Sequence, residues 1–418
     1  MTPPLLAPFS GEFHRDPYAT YRHLRESDPV HCAQILGKRF FVLTRYADVT
    51  AALRDPRLSS AAVSGGLIPM EVVRGNILFA DPPQHGLQRQ PLNRAFLPAT
   101  VEGLRPRLQQ LAERLLDQAQ AHQARHGSFD AVSDLAAPLS LRTITAIMGL
   151  PDSDVPRLRH YTEALSVLLD IARILPGLAQ AHRTAPEAAA YFREQLAQRR
   201  RDPLDSEGRP RDLLCTLLMH AGSLAASECT ADTATVPEPA IADSLIATAM
   251  FTLMAGHETV TALIGSGLWL LASHPDQLDL LRRDPTLCES AIEEMLRYEP
   301  PAQLTTKTAV YDLEIGGRSI RAGELVVASF AAANRDPAIF CDPERFDITR
   351  RDTRHRHLSF GHGPHYCVGS ALARMQAQIV FSTLLTRFPR LDIDLGSAIR
   401  PPGIVLRGLS RLLIRGGL

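Results

Sequence analysis

The stretch Phe360-Gly361-His362-Gly363-Pro364-His365-Tyr366-Cys367-Val368-Gly369-Ser370-Ala371-Leu372-Ala373-Arg374 decides how the rest of the chain is read. Three glycines and a proline around Cys367 keep a helix from running through it. A helical pattern starts directly afterwards, with Leu372, Ile379, Val380, Leu384 and Leu385 recurring near a 3.6-residue period. The spacing therefore places Cys367 on a tight loop at a helix N-terminus, where free amide N–H groups and the macrodipole favour negative charge. Such a place lowers a thiol pKa and stabilises the thiolate, the form that ligates metal. The glycines at 361, 363 and 369 are expected to supply unusual φ values and to let the backbone come close to a ligand. Zinc is a poor fit, because no second cysteine lies within CxxC distance.

The whole constellation resembles the cysteine loop of the cytochrome P450 family, FGxGxHxCxGxxLAR, and matches it at every fixed position. The resemblance implies that Cys367 is the thiolate axial ligand of a haem iron, with Phe360 packed near it, His365 reaching a haem propionate and Gly369 in the cofactor-binding loop.

The 418 residues carry 45 basic and 45 acidic side chains, and a formal net charge of zero argues against nucleic acid or a polybasic membrane surface as partner. The positive charge is nearly all arginine; Lys38 and Lys307 are the only lysines. Six cysteines lie scattered without motif spacing, as in a reducing compartment. The N-terminus has neither a charged n-region nor a long apolar core, so a cytoplasmic location without signal or anchor is expected. The apolar stretch Ser244–Ser273 is long enough to span a bilayer, but His257 and Glu258 at its centre mark it as the core helix of a soluble protein.

Taken in order, the chain reads as a short helix over 15–30, strand material to 44, and a helix from Tyr46 to Asp55. A long loop with at most one helical turn follows over 57–80. Asp81-Pro82-Pro83-Gln84-His85-Gly86-Leu87-Gln88-Arg89 opens a helix, and puts His85 and Arg89 on one face. Two cations so placed suit a pair of carboxylates. The segment is similar to the family's DPPxHxxxR, which implies that His85 and Arg89 hold haem propionates; Pro91 is unexpected inside that helix. Helices at 155–175 and 180–200 are predicted to meet at Pro176-Gly177, and 202–212 and 221–239 read as surface loops. Strand-like segments fill 304–330, and a closing strand pair is expected over Ile404–Leu409.

The long helix carries Ala255-Gly256-His257-Glu258-Thr259. A carboxylate and a hydroxyl are odd choices for a buried apolar segment, unless Glu258 faces solvent and Thr259 bonds back to a carbonyl. The sequence matches the family's [AG]Gx[DE]T, which implies that Ala255 and Gly256 lie over the haem, that Gly256 loosens the helix, that Thr259 holds dioxygen and an ordered water, and that Glu258 relays protons. Glu294 and Arg297 resemble the family's ExxR, with Arg345 or Arg350 as third partner. Lys307 stands where the family usually has an arginine on a propionate. His355, His357, His362 and His365 are too irregularly spaced for a metal cluster.

The resemblance covers essentially the whole chain. It implies a mainly α fold with a small β region, the P450 fold, as one haem-thiolate domain over 1–418. It further implies haem b (iron protoporphyrin IX), dioxygen, and electrons from a separate ferredoxin or flavodoxin with its reductase. The implied reaction inserts one oxygen atom of O2 into an apolar small molecule of secondary metabolism, by hydroxylation or epoxidation. The class of terpenoid, fatty acyl, steroid or other natural product stays open. Family analogy lines the site with residues 60–80, 160–185, 247–259, 301–306 and 403–406, among them Leu67, Ile68, Met70, Leu165, Leu168, Met250, Leu253, Met254, Leu304 and Ile404. A peroxide-dependent peroxygenase or a non-catalytic haem sensor are the alternatives, and neither needs the Glu258–Thr259 pair.

Overall fold

The structure, a computed structural model, describes residues 11–35, 38–61, 69–228, 238–351 and 353–415. The helices that frame the site are α1 (Gln84–Ala95), α2 (Arg105–His126), α3 (Ala137–Ile147), α4 (Val155–Leu165), α5 (Ile171–Arg199), α6 (Leu213–Glu228), α7 (Glu238–Ser273), α8 (Cys288–Tyr298) and α9 (Ser370–Arg387). Helix α7 is apolar on every side over most of its length, so its solution is to be surrounded. It packs on α3, α5, α8 and α9, and Ala247, Ala249, Ile264, Leu268, Leu270 and Leu271 are fully buried along it. Among the described residues no helix is long and apolar enough to cross a membrane.

Five strands form the larger sheet: β1 (Val30–Ile35), β2 (Lys38–Leu43), β3 (Leu58–Ser59), β4 (Leu304–Ala309) and β5 (Leu325–Ser329), in the order β1-β2-β5-β4-β3. Only β2 and β5 run parallel. The register pairs Leu58 with Ala309 and Ser59 with Thr308, so the chain leaves β3 at Ser60 alongside Lys307. Gly316 and Gly317, at φ +54° and +78°, form the tight turn between the short strands Leu313–Ile315 and Arg318–Ile320.

Several boundaries differ from the sequence expectation, each for a local reason. The break between α4 and α5 falls at Asp170, not at Pro176-Gly177. Asp170 Oδ1 accepts the Ala172 N–H at 3.0 Å as an N-cap, and both Pro176 and Pro186 are absorbed within α5. Residues 221–228 are not loop but the end of α6, whose alanines and leucines outweigh its glycine and serines; 229–237 lie outside the described residues. The closing strand pair is Asp392–Ile399 with Arg411–Arg415. The stretch Ile404–Leu409 between them makes only an isolated bridge, Leu406 to Ala302. Pro401, Pro402 and Gly403 at its start do not sustain a ladder.

Candidate active site

The loop before α9 is held by its own backbone. The Cys367 N–H donates to the Phe360 carbonyl at 2.8 Å, and Gly361 and Gly363 take φ of +72° and +73°. A side chain at 363 would also press on the Leu53 carbonyl, 3.0 Å from its Cβ. Gly369 has an ordinary φ of −84°, so only two of the three glycines answer to backbone conformation. Cys367 is crowded by the protein yet keeps accessible surface. The expected fall in thiol pKa does not occur in the protein alone. Burial pushes the Cys367 thiol up, and the Gly369 N–H, Arg89 and Arg374 offset this only in part.

Near Cys367 four cationic or cation-forming side chains converge. The His85 and His365 rings lie 4.0 Å apart between centroids, and Lys307 Nζ donates to Ser60 Oγ at 3.1 Å and to the Leu58 carbonyl at 3.3 Å. Arg89 donates to the Tyr366 carbonyl and to Asn93 Oδ1, the latter at 2.8 Å. Burial and mutual repulsion push His365 down to about 3, and burial lowers His85 and Lys307. His85 Nε2 is buried without any hydrogen-bond partner. Among the described residues no carboxylate forms an ion pair with Arg89 or Lys307; Asp81 is the acid that offsets the cluster, and it is already engaged by Ser59 and Ser60.

The second group of candidate residues lies in the middle of α7. The Thr259 hydroxyl donates to the Ala255 carbonyl at 2.7 Å, leaving its lone pairs to accept from a ligand. Glu258 does not face bulk solvent. Burial raises its pKa, Arg173 of α5 works against the rise, and the Ser166 hydroxyl donates to its carboxylate. Gly256 is explained by packing more than by flexibility: a Cβ there would sit 2.8 Å from Ile144 Cγ1 of α3, and α7 runs through it unbroken. His257 points the same way, its Nδ1 2.8 Å from Ser140 Oγ, which also lies 2.8 Å from Thr261 Oγ1. Ala255 is half-buried on the turn that accepts Thr259.

Comparison with known proteins decides what this arrangement belongs to. The family model described as cytochrome P450 matches residues 5–402. The biotin biosynthesis cytochrome P450 of Bacillus subtilis is 36% identical over 92% of each chain, and the cytochrome P450 monooxygenase PikC of Streptomyces venezuelae is 35% identical over 99% of this chain and 95% of its own. The crystal structure of P450BioI in complex with a hexadec-9Z-enoic acid ligated acyl carrier protein superimposes with a TM-score of 0.84, at 34% identity, covering 97% of this chain and 99% of that one. The chain is a cytochrome P450 monooxygenase.

The residues of this P450 fit the haem iron cofactor of the family. An accessible cysteine, an orphaned buried imidazole nitrogen, and a lysine and an arginine without acidic partners among the described residues are what a flat group with one metal and two carboxylates requires.

The supports behind the P450 cysteine loop were only half visible in sequence. Glu294 and Arg297 form a fully buried bidentate pair at 2.7 and 2.7 Å. Arg297 also donates to the carbonyls of Asn334, Pro343 and Arg345. Of the two candidate third partners, the side chain of Arg350 reaches Glu294 Oε1 at 3.1 Å, whereas Arg345 contributes its carbonyl. The neighbouring Glu293, which sequence reasoning passed over, takes Arg374 at 2.6 and 2.9 Å and His357 at 3.0 Å. Burial resists its ionisation, but these partners hold it at about 2. Arg374 in turn lies 4.5 Å over the Phe360 ring. Ser60, Ser166 and Arg173 were missed as well; each is an ordinary residue whose partner lies more than 80 positions away. Among the described residues no three His, Cys, Asp or Glu side chains gather as a metal site. Leu67 and Ile68, and the side chain of Met70, lie outside the described residues.

Proposed function

We propose that this P450 acts as one haem-thiolate domain that binds haem b through Cys367 and inserts one oxygen atom of O2 into an apolar natural-product substrate. The single observation that carries the reading is the gathering of His85, Arg89, Lys307 and His365, none of them ion-paired among the described residues, about an accessible Cys367. His85, Arg89, Lys307 and His365 would hold the propionates, Phe360 and Gly369 would bound the thiolate side, and Ala255 and Gly256 would cover the opposite face. Bound there, haem supplies the activation of dioxygen.

The chain's own residues then have three tasks. The apolar side chains Leu165, Leu168, Met250, Leu253 and Met254, all buried around α4 and α7, take up an apolar substrate and exclude water. Thr259, whose proton is engaged by Ala255, accepts a hydrogen bond from an ordered water and keeps it in place. Glu258, a carboxyl whose burial raises its pKa, picks up protons at the Ser166–Arg173 side and passes them toward Thr259. Electrons come from a separate ferredoxin or flavodoxin. Of Arg94, Arg354 and Arg356, the candidates to receive an acidic donor, Arg354 is taken up by Glu289, whereas Arg94 and Arg356 are exposed without salt-bridge partners among the described residues. A peroxide-driven reaction would leave the Glu258–Thr259 pair without a task.

The relative crystallised with an acyl chain on its carrier protein makes long acyl chains the first substrates to try. The test is turnover of free and carrier-bound long-chain acyl substrates, and of macrolide-sized and terpenoid scaffolds, under 18O2 with ferredoxin, its reductase and NADPH. One labelled oxygen atom per product supports the reading; unlabelled product, or product formed only with peroxide, overturns it.

A further inference from the structure

Asp170 sits at the corner between α4 and α5 and is fully buried. Among the described residues it has no salt-bridge partner. Its carboxylate is met instead by four backbone N–H groups. Oδ1 takes Ala172 at 3.0 Å, and Oδ2 takes Ile404, Val405 and Leu406 at 2.8, 2.8 and 3.0 Å. Three successive amides turned onto one oxygen form a backbone nest for an anion, and Gly403 makes room for it. A Cβ at 403 would lie 2.3 Å from the Leu406 carbonyl oxygen and 3.1 Å from Asp170 Oδ2.

What this carboxylate joins matters more than its burial. The 403–406 loop is tied in turn to the start of β4. Gln303 N–H donates to the Val405 carbonyl at 2.8 Å, and Arg407 N–H to the Pro301 carbonyl at 2.8 Å. On the other side, the corner carries the turn Ser166–Leu169, with Ser166 on Glu258, and Arg173 one turn into α5. Asp170 thus connects the α4–α5 corner to the loop that passes beside β4, two segments brought together from positions 234 to 236 residues apart.

We propose that Asp170 is the latch of the substrate site, a positioning residue that must release the 403–406 amides before a bulky ligand can enter or leave. The proposal rests on the monooxygenase reading above. It makes Asp170 a determinant of ligand exchange rate and of the size of ligand admitted, not of the chemistry. A small ligand passes without the corner moving; a large one does not.

Stopped-flow Soret spectroscopy of the full-length holoprotein tests this with two iron-binding probes, imidazole and 4-phenylimidazole. In Asp170→Asn one of the two acceptor oxygens becomes a donor, and in Gly403→Ala the nest is disturbed from the opposite side. Both variants are expected to speed association and dissociation of 4-phenylimidazole roughly tenfold, the effect of losing charge-assisted hydrogen bonds in the closed state. Imidazole rates stay within about twofold, and the double variant adds nothing to the single ones. Unchanged 4-phenylimidazole rates in a haem-loaded Asp170→Asn protein overturn the latch, and so does an equal acceleration of both probes. Should neither variant fold, amide hydrogen exchange on the wild-type holoprotein decides. The latch requires Ala172, Ile404, Val405 and Leu406 to exchange together, and more slowly with 4-phenylimidazole bound; independent exchange refutes it. A normal thiolate spectrum with unaltered rates sinks the latch alone, whereas a chain that binds no haem sinks the proposed function and the latch with it.

Discussion

Acidification should destabilise this protein through His257. The imidazole is buried, bonded to Ser140, and has no ion-pair partner among the described residues to welcome a charge. Burial, with Arg159 adding to it, pushes its pKa down from 6.5 to about 4. Because the folded value lies below the unfolded one, the unfolded chain takes up the proton first. The contribution to stability is full above pH 6.5 and is lost as pH falls toward 4. By pH 5 the loss from this one group is about 2 kcal/mol, at 1.36 kcal/mol per pH unit between the two pKa values. Other groups titrate over the same range, so the measurement is a difference. Wild type and His257→Asn, which keeps a hydrogen-bonding atom near Ser140 but no proton to gain, are unfolded in urea at pH 7 and pH 5. The fluorescence of Trp269, the single tryptophan, reports the transition. Wild type should lose about 2 kcal/mol more than the variant on acidification. Equal losses would refute the argument, as would a directly measured His257 pKa near 6.5.

Three further outcomes follow from the packing. Glu294→Gln leaves Arg297 and Arg350 facing a neutral group in a fully buried place, and should cost about 3–5 kcal/mol with loss of haem retention in a thermal melt followed at the Soret band. Gly256→Ala forces a methyl against Ile144 and should cost about 1–3 kcal/mol; adding Ile144→Val should recover part of the melting temperature, and no recovery would show that the clash is elsewhere. Thr259→Ala should leave substrate binding intact, as judged by the ferric Soret shift, while product per electron pair falls about tenfold and peroxide release rises. Undiminished product would separate Thr259 from proton delivery.

What could be read in the sequence was what lies close together in it. The cysteine loop, the Glu258-Thr259 pair, and His85 with Arg89 are local patterns whose spacing carries their geometry. The α4–α5 corner was misplaced because Pro176-Gly177 is a strong local breaker, while the residue that does set the boundary, Asp170, draws most of its bonds from Ile404, Val405 and Leu406. An N-cap aspartate before an apolar run was the one available hint. The direction of the Cys367 thiol pKa in the protein alone was illegible for a similar reason: the helix terminus is local, whereas burial is a property of the whole fold. Glu293 was hidden beside its more recognisable neighbour, since its partners Arg374 and His357 stand 81 and 64 positions away.

The central claim, a haem iron held by Cys367, is tested most directly by the Soret spectrum of the purified chain after haem loading, reduced and exposed to carbon monoxide, beside the same spectrum for Cys367→His. Wild type should show the strongly red-shifted band of a thiolate-ligated haem, and Cys367→His the shorter-wavelength band of histidine ligation. No Soret band in wild type, or the same band in both proteins, would contradict the account.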